Sequence, residues 1–536
     1  MSSNTQVLIV NNIKLPLNAS SNEAFLIAKK RLRQIGINVG DNDLSIYKRS
    51  VDARNKGDIK LVYSICAKGT YKNITDAMLS KISGSLLTEG DPLDFERGTE
   101  ELSAPPLVVG SGPCGLFAAL LLAENGYAPI IIERGGSVEE RKSKVKAFNE
   151  LKILDTETNI QFGAGGAGTF SDGKLVTRVN DPISAYVLQR LVEFGAPNEI
   201  LYLAKPHIGT DILSGIVENI LARISALGGT VLYHTKYLSC THQNGETIAH
   251  TSRGEIKCGA ILLALGHSAR DTYQNMFNSG FLIEPKAFSV GLRIEHKTAM
   301  IDKSMYGNFA GHSALGHAEY NLSYNTKERG VYTFCMCPGG EVVAAASEEH
   351  GVVVNGMSRH ARSGDNSNSA VVCSIFKQDY GSTPQKAIEF QRAIERAAFI
   401  AGGSDYSGPI ITVGDFLNGE CKREPYEVFP TYMNGKNIRL ASPESYLPKT
   451  VSNSIKNALR DFDRKIHGFA DGSAILTGAE TRTSAPIRII RDQKTRLAVG
   501  FDNIYPAGEG AGYAGGITSA AIDGVKTAIA IMKRFN

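Results

Sequence analysis

The chain has 536 residues, enough for two or three domains with a large buried core. Hydrophobic residues make up 42%, charged residues 21%, and the net charge is +4, so composition gives no reason to expect a polyanionic partner. Its eight cysteines lack the spacing of a disulfide framework, which favours a reducing compartment. The sequence opens without a basic-then-apolar signal and holds no apolar run of membrane-spanning length. We therefore expect a cytoplasmic protein with no membrane partner.

Residues 1–100 are predicted to form a small N-terminal α/β domain. A serine cap and an apolar face predict a helix over Ser21–Arg33. Three short apolar or alternating runs predict strands, at Val7–Val10, Leu44–Tyr47 and Leu61–Ile65. A basic turn follows at residues 48–57, but a solvated hairpin tip explains it without nucleic acid, which we do not expect as a partner.

The rest of the chain is organised around Leu107–Gly115, an apolar strand that breaks into glycines and then a helix. This pattern is typical of a dinucleotide-binding unit. Gly110 would make the tight turn, Gly112 would let backbone N–H groups approach a pyrophosphate, and Gly115 would let the helix pack close to its strand. Pro113 and Cys114 open that helix, whose N-terminus would face the phosphates.

The next predicted strand, Ile130–Ile132, ends on Glu133 and Arg134. An acidic residue at this place is positioned to accept hydrogen bonds from an adenosine ribose. We therefore expect both Glu133 and Arg134 at the cofactor.

A glycine-rich loop at residues 159–174 would let a flat ring or a phosphate approach its backbone. A flexible loop is the alternative, but linkers seldom carry aromatic residues among their glycines. The cofactor contacts expected from this loop are Gly165, Gly166, Gly168, Thr169, Ser171 and Lys174. Strands predicted at residues 230–237 and 260–266, around a hairpin turn at Asn244-Gly245, add Tyr237 and Gly266 to the site.

The same chemistry returns near the end of the chain. A predicted strand ends on Gly508 and Glu509, whose carboxylate can bond ribityl or ribose hydroxyls. Gly510, Gly516 and Ile517 then bring a helix N-terminus to the ligand. Two contact regions, near residues 110 and 510, indicate an extended cofactor, FAD rather than NAD.

These motifs resemble the glutathione-reductase-type FAD superfamily. More narrowly, the chain resembles a bacterial family of FAD-dependent dehydrogenases with an extra N-terminal domain. The narrow resemblance rests on Lys48–Lys56, Gly163–Lys174, Phe334–Gly340, Glu480–Pro486 and Gly508–Ile517. It implies an FAD flavoprotein and gives no substrate. Where the superfamily usually has Gly-Asp before its last helix, this chain has Gly508-Glu509, which keeps the carboxylate and lengthens its reach.

The fold class expected is therefore α/β. A Rossmann-like FAD-binding domain, with a parallel sheet in three layers, would be built from residues 101–272 and 462–536. Residues 273–461 would form an inserted α+β cap domain that sets substrate choice. Alternating strands at Ser289–Ile294 and Val331–Phe334 and a long helix from Pro384 to about Ala401 indicate that cap.

Four residues are candidates for catalysis, and each has a structural alternative. Cys335 and Cys337 would share a strand face and could form a redox dithiol near the flavin, but a one-residue spacer strains a disulfide ring and cysteines are often simply buried. Arg482 could clamp an anion or form a structural ion pair. His207 could face the flavin cavity or be structural. Arg293 and His296 are weaker polar candidates, and no metal-ligand spacing is present.

The function predicted is an FAD-dependent oxidoreductase that moves a hydride or electron pair through flavin N5. Its partners would be a small-molecule substrate and an electron donor or acceptor, with NAD(P)H as one candidate donor. Two alternatives stay open. One is an FAD-containing RNA-modifying or nucleic-acid-binding protein that uses the N-terminal module. The other is a non-catalytic flavoprotein scaffold or sensor.

Overall fold

The structure is a computed structural model that describes residues 5–71, 73–89, 92–177, 181–243 and 246–536. The predicted turn at Asn244-Gly245 lies outside these ranges, as do the first four residues, in which the sequence shows no signal-like pattern. Among the described residues there is no helix with the length and apolar character needed to cross a membrane.

The N-terminal module, residues 5–89, is a four-stranded antiparallel sheet in the order β2-β3-β1-β4. Its elements are β1 (Thr5–Pro16), α1 (Ser21–Arg33), β2 (Leu44–Asp52), β3 (Lys60–Gly69), α2 (Asp76–Lys81) and β4 (Gly84–Glu89). The predicted bounds of α1 are confirmed. Its first turn is fixed by Glu23, whose carboxylate accepts from the backbone N–H of Ser20 at 3.1 Å.

The basic run differs from the prediction, because residues 48–52 continue β2 and leave only residues 53–59 as the tip. The N–H of Arg49 donates to the carbonyl of Tyr202 at 2.7 Å, and the N–H of Ala204 donates to the carbonyl of Arg49 at 2.9 Å. Arg54 pairs with Asp52. Part of the predicted basic surface is thus engaged within the protein.

A five-stranded parallel sheet forms the second unit, in the order β7-β6-β5-β11-β23, where β23 is the strand Ile504–Pro506 near the end of the chain. The elements up to its fourth strand in sequence and the following helix are β5 (Leu107–Val109), α3 (Pro113–Glu124), β6 (Ile130–Ile132), α4 (Val138–Leu151), α5 (Ile183–Glu193), α6 (Thr210–Ala226), β7 (Thr230–Leu232), β8 (Tyr237–Gln243), β9 (Glu246–Thr251), β10 (Gly254–Cys258), β11 (Ile261–Leu263) and α7 (Arg270–Phe277). Helices α3, α5 and α6 pack on one face. The small antiparallel sheet β8-β9-β10 packs on the other.

The third unit is built on a seven-stranded mixed sheet, the cap sheet, in the order β14-β15-β18-β13-β21-β19-β20. Its elements, with those that accompany it, are β12 (Ile283–Pro285), β13 (Phe288–Lys297), α8 (Thr298–Tyr306), β14 (Ser323–Asn325), β15 (Gly330–Cys337), β16 (Glu341–Ala344), β17 (Val354–Met357), β18 (Asn366–Ile375), α9 (Lys377–Tyr380), α10 (Pro384–Ala401), β19 (Gly408–Thr412), α11 (Val413–Asn418), β20 (Ile438–Leu440), α12 (Lys449–Lys465) and β21 (Ile475–Glu480). The bounds predicted for α10 are confirmed.

The chain then returns to the parallel sheet through β22 (Ile487–Ile489), β23 (Ile504–Pro506) and α13 (Ile517–Met532). Short 3₁₀ helices lie at Ala167–Phe170, Asn198–Leu201, Gly307–Phe309, Tyr432–Gly435 and Pro443–Ser445. The predicted end of the cap at residue 461 falls inside α12, and β21 pairs with β13 and β19 in the cap sheet. Strand β21 therefore belongs to the sheet that begins with β13 near residue 288. The chain leaves the cap sheet only after residue 480.

Close backbone packing explains the small residues of the parallel-sheet unit. A Cβ added at Gly115 would lie 1.9 Å from the carbonyl oxygen of Gly110, and one at Gly524 would lie 2.1 Å from that of Cys114. Helix α3 is buried on nearly every side, between its strand and α13. These approaches bring the N-terminal ends of α3 and α13 to one place.

Candidate functional site

A cavity of about 340 Å³ lies between the carboxyl ends of the parallel strands and the cap sheet. Its volume is in the usual range of ligand pockets. The wall combines the glycine turn after β5, the loop at residues 161–174, the start of α13 and residues of the cap. Segments more than 300 residues apart in sequence thus meet at one site.

Most residues predicted from sequence to touch the cofactor line this cavity. They are Gly110, Gly112, Pro113, Cys114, Glu133, Arg134, Gly166, Gly168, Ser171, Lys174, Tyr237, Gly266, Glu509, Gly516 and Ile517. Five do not: Gly115, Gly165, Thr169, Gly508 and Gly510. Those five occupy tight packing positions instead; a Cβ at Gly510 would lie 2.5 Å from the carbonyl oxygen of Gly266.

The turn at Gly110 presents bare backbone to the cavity. Gly110 has φ of +100°, and a Cβ there would lie 2.4 Å from the carbonyl oxygen of Ala264. Helix α3 begins at Pro113 with Gly112 before it, so its first free N–H groups lie at the cavity wall. Across from it, a Cβ at Gly166 would lie 2.9 Å from Gly112 Cα. A side-chain-free cradle at a helix N-terminus is suited to a phosphate.

Glu133 lines the cavity, but its carboxylate also stabilises the turns around it. One oxygen accepts from the N–H and the hydroxyl of Ser111, at 3.0 and 2.7 Å. The other accepts from the N–H groups of Gly135 and Gly163, both at 3.0 Å. A carboxylate has about four acceptor positions. A ribose hydroxyl would therefore have to share or displace one of these bonds, which the sequence could not show.

Arg134 is held in place by protein partners. Its guanidinium donates to Glu157 at 2.8 Å and to Asp271 at 2.8 Å, and lies 4.0 Å from the centroid of the Phe162 ring. These contacts fix the cavity wall beside Glu133.

His267, which the sequence analysis missed, is a polar group without a partner in the cavity wall. It is buried, and its Nε2 has no hydrogen-bond partner among the described residues. Burial, with the nearby charges of Arg482 and Arg270, lowers the pKa of His267 to about 3, so the ring is neutral. Its position directly after the apolar run 260–266 was the available signal, because ligands meet the carboxyl ends of parallel strands.

Two cavity carboxyl groups can hold a proton near neutral pH. Burial raises the pKa of Glu509 to about 7, against the opposing charge of Lys286. Burial likewise raises the pKa of Glu480 to about 7, although Arg293 lowers it. Glu509 lies 3.7 Å from Nδ1 of His267, and one oxygen of Glu480 has no hydrogen-bond partner among the described residues. Polar groups left unsatisfied around a cavity fit a polar ligand.

Arg482 lines the cavity but is committed to an ion pair. It donates to both oxygens of Glu395, at 3.2 and 3.0 Å, and to the hydroxyls of Ser268 and Ser347. Four of the five N–H groups of a guanidinium are thereby used. The structural alternative for Arg482 fits this geometry better than an anion clamp does.

Of the three remaining catalytic candidates, only Cys335 lines the cavity. His207 lies outside the cavity lining; its Nε2 contacts the carbonyl of His360 at 3.0 Å, and the two imidazoles stack with centroids 5.2 Å apart. Cys335 lines the cavity and Cys337 is fully buried behind it. A bulge between Phe334 and Cys337 interrupts the strand alternation on which the shared-face prediction rested. No cluster of three metal-ligating side chains occurs in the described ranges.

Comparison with known proteins supplies the family. Residues 287–483 match the family model described as "FAD-dependent protein, C-terminal domain-like", and residues 8–67 match a domain of unknown function. The first of these matches spans the cap sheet from β13 to just past β21. An uncharacterized protein of Clostridium beijerinckii is 44% identical over 535 residues, which cover 98% of this chain and 99% of that protein.

Solved structures resemble the chain more distantly. CtdE in complex with FAD is 11% identical, with a TM-score of 0.32, over 81% of this chain and 84% of that one. The halogenase PltM is 11% identical, with a TM-score of 0.35, over 79% of this chain and 67% of that one. Scores this low carry no conclusion about activity.

Proposed function

Because the chain belongs to one family with the Clostridium beijerinckii protein and carries the C-terminal domain of FAD-dependent proteins, we propose that it is an FAD-dependent oxidoreductase. FAD is the cofactor. The observation that carries the proposal is the single cavity in which the phosphate-type cradle at Gly112 and the unsatisfied polar groups of the cap meet.

The parallel sheet supports a Rossmann-type assignment. Numbered in chain order, its strands lie 3-2-1-4-5, which is the order of a doubly wound dinucleotide fold. The first of these strands leads into the turn at Gly110, and ligands bind at this edge of such sheets.

The residues present fit the cofactor. The amides at the start of α3 would take the pyrophosphate, since they face a cradle without side chains. Glu509 would hold ribityl or ribose hydroxyls, and the N-terminus of α13 at Ile517 would favour negative charge on the reduced ring. When bound, FAD would supply the two-electron centre.

The chain's own residues would control water and protons. The cap sheet closes the cavity opposite the parallel sheet and so limits solvent access to the cofactor. Glu480 and Glu509 can each hold or release a proton near pH 7, and neutral His267 offers a free Nε2 for a ligand hydrogen bond. We propose that the substrate is a small molecule. NAD(P)H is one candidate for the electron donor.

Absorption spectra under anaerobic conditions test this function. We expect a flavin spectrum in the purified or reconstituted protein and rapid bleaching by one donor from a panel of NADH, NADPH and reduced metabolites. A flavin that no donor bleaches would favour a scaffold or sensor. A protein that takes up no flavin on reconstitution would contradict the assignment.

Gly112→Asp tests where FAD is held, with Gly112→Asn as the matched control. A Cβ at Gly112 would meet only Gly166 Cα, at 3.8 Å, so the fold has room for either side chain. The aspartate would place a negative charge beside the proposed pyrophosphate. We expect it to weaken FAD binding about tenfold or more relative to asparagine. Equal affinities would exclude this turn as the phosphate site.

A further inference from the structure

Cys335 and Cys337 lie at the end of β15, where the strand bulges. Phe334 pairs with Ala370 and Cys337 pairs with Asn368, so β15 takes three steps where β18 takes two. Cys335 is the residue turned by this irregularity, with φ of +46°. Bulges beside active sites commonly redirect a side chain, and positive φ in a residue other than glycine marks local strain.

The bulge places the sulfur of Cys337 against the backbone of Cys335 at the cavity. Cys335 faces the cavity that Gly112 also lines. Cys337 is fully buried behind it, and its thiol donates a hydrogen bond to the carbonyl of Cys335 at 3.3 Å. One cysteine is thus accessible from the cavity while its neighbour is shielded.

A buried cation stands beside the pair. Arg293 is fully buried on β13 and donates to the carbonyl of Cys335 at 2.9 Å. Its Nε and Nη1 have no hydrogen-bond partner among the described residues, and the nearest carboxylate oxygen, on Glu480, is 3.6 Å away. An incompletely paired guanidinium next to a thiol favours the thiolate.

The thiols respond to this setting in opposite directions. The neighbouring Cys337 thiol, opposed by burial and assisted by Arg293 and Lys174, lowers the pKa of Cys335 to about 6. The neighbouring Cys335 sulfur and burial raise the pKa of Cys337. By contrast, burial raises the pKa of Cys114, which also lines the cavity, and of Cys373. A nucleophilic thiolate beside a protonated thiol is the arrangement of a reactive dithiol.

We propose that Cys335 and Cys337 form a dithiol–disulfide couple that exchanges an electron pair with FAD. The proposal rests on the function proposed above, in which FAD occupies the cavity. Two electrons and one proton from reduced FAD break the S–S bond. Cys335 leaves as the thiolate, Cys337 takes the proton, and oxidised FAD remains. In the reverse direction the S–S bond forms and FAD takes the two electrons and the proton.

The one-residue spacer agrees with this role. A disulfide between residues so close in sequence closes a small, strained ring, and strained disulfides are the readily reduced ones. A permanent structural crosslink would gain little from such a ring, whereas an electron-pair carrier requires a bond that opens easily.

Thiol trapping in the FAD-loaded full chain tests the couple. The protein would carry Cys421→Ser, which removes an exposed thiol. After oxidation with diamide and blocking with N-ethylmaleimide, we expect a proteolytic peptide in which Cys335 and Cys337 are joined. Photoreduction of the flavin without oxygen should then release two new thiols per flavin. Cys335→Ser and Cys337→Ser should release none, and Cys373→Ser, on neighbouring β18, should release two.

Failure of the couple can be distinguished from failure of the proposed function. If the flavin is photoreduced and bleached but the disulfide persists, or if no disulfide forms, the couple is wrong while FAD binding stands. If no flavin binds, the function proposed above fails first.

A second measurement needs no FAD. In the flavin-free protein, alkylation of Cys335 by iodoacetamide, followed by peptide mass spectrometry, should be half-maximal near pH 6. An ordinary thiol gives about pH 8.5. Cys337→Ala should raise that midpoint, and Cys373→Ala should leave it unchanged. A wild-type midpoint near pH 8.5 would overturn the proposal.

Discussion

Single glycines at the parallel sheet hold backbones at contact distance, so a methyl group tests them. Gly115→Ala should destabilise the protein by about 1–3 kcal/mol, because its Cβ would lie 1.9 Å from the Gly110 carbonyl oxygen. Gly215→Ala, in α6, meets nothing within 4 Å and should stabilise by about 0.5–1 kcal/mol. Urea denaturation of both variants checks this contrast. Equal effects would show that packing against Gly110 is not the constraint.

Glu295 should make stability fall as pH rises. Burial raises its pKa from 4.5 to about 7, although the hydroxyl of Thr431 and the amide of Asn366 donate to it. A carboxyl whose pKa is raised in the folded state contributes stability that is present below about pH 4.5 and is lost as pH rises to about 7.

Glu295→Gln should remove that component. The free energy of unfolding of the wild type minus that of the variant should fall as pH rises from 4.5 to 7, by up to about 1.4 kcal/mol per pH unit. Above pH 7 this difference should stay level. Urea denaturation across this pH range measures the difference. Glu101→Gln, an exposed control, should give a profile parallel to wild type. A parallel profile for Glu295→Gln would show that folding leaves the pKa of Glu295 unchanged.

For single residues, the sequence predicted where each one lies better than which groups it bonds. The spacing of Gly110, Gly112 and Glu133 located the turn, because the positive φ and close backbone approach at Gly110 favour glycine there. It did not reveal that Ser111 and Gly163 already engage the carboxylate of Glu133. Those bonds join loops that only the folded chain brings together.

Between elements, a buried charge cluster joins the two large units. Glu395 on α10 accepts from Arg270 on α7 at 2.7 Å and from Arg482, beyond β21, at 3.0 Å. All three are buried. Burial raises the pKa of Glu395, but the two guanidinium groups hold it below its ordinary value, so the cluster is ionised.

Glu395→Gln should destabilise the protein by about 3–5 kcal/mol, because it leaves the buried Arg482 without an anion and Arg270 with only the carboxylate of Glu348. The measurement is the urea midpoint at pH 7. Glu389→Gln on the same helix breaks only solvent-accessible pairs, with Arg396 and Arg392, and should cost less than about 1 kcal/mol. Comparable losses would mean that the buried cluster contributes no more than a surface pair.

Elements with strong local signals were predictable, and pairings across long stretches of sequence were not. Thr383 caps α10 ahead of Pro384, a start signal visible in the sequence. Strand β21 has no local feature that assigns it to the cap sheet; its partners β13 and β19 decide that. The Cys335 bulge is equally invisible, since register depends on β18.

For the whole molecule, the N-terminal module is part of the cap's core. One continuous cluster of buried apolar side chains includes Leu8 and Ile65 of the module together with Leu292 and Val371 of the cap sheet. A chain that starts at residue 92 would expose part of that cluster to water. We expect its thermal midpoint to fall by roughly 5 °C or more and the protein to self-associate.

Differential scanning calorimetry and sedimentation velocity measure these two effects. His312→Ala in the full chain, which removes an exposed hydrogen bond to Asn18 and a local one from the backbone N–H of Ala314, serves as a mild control. A monomeric truncated chain with an unchanged midpoint would show that the module is an independent appendage.

The order of the chain also bears on how the protein is made. Strand β23 and helix α13, which complete the parallel sheet and one wall of the cavity, come from residues 504–532. During synthesis the N-terminal module and the cap sheet therefore emerge before the site exists. If FAD binds as proposed, its full site on a growing chain forms only after those last elements have left the ribosome, and therefore after the cap has emerged.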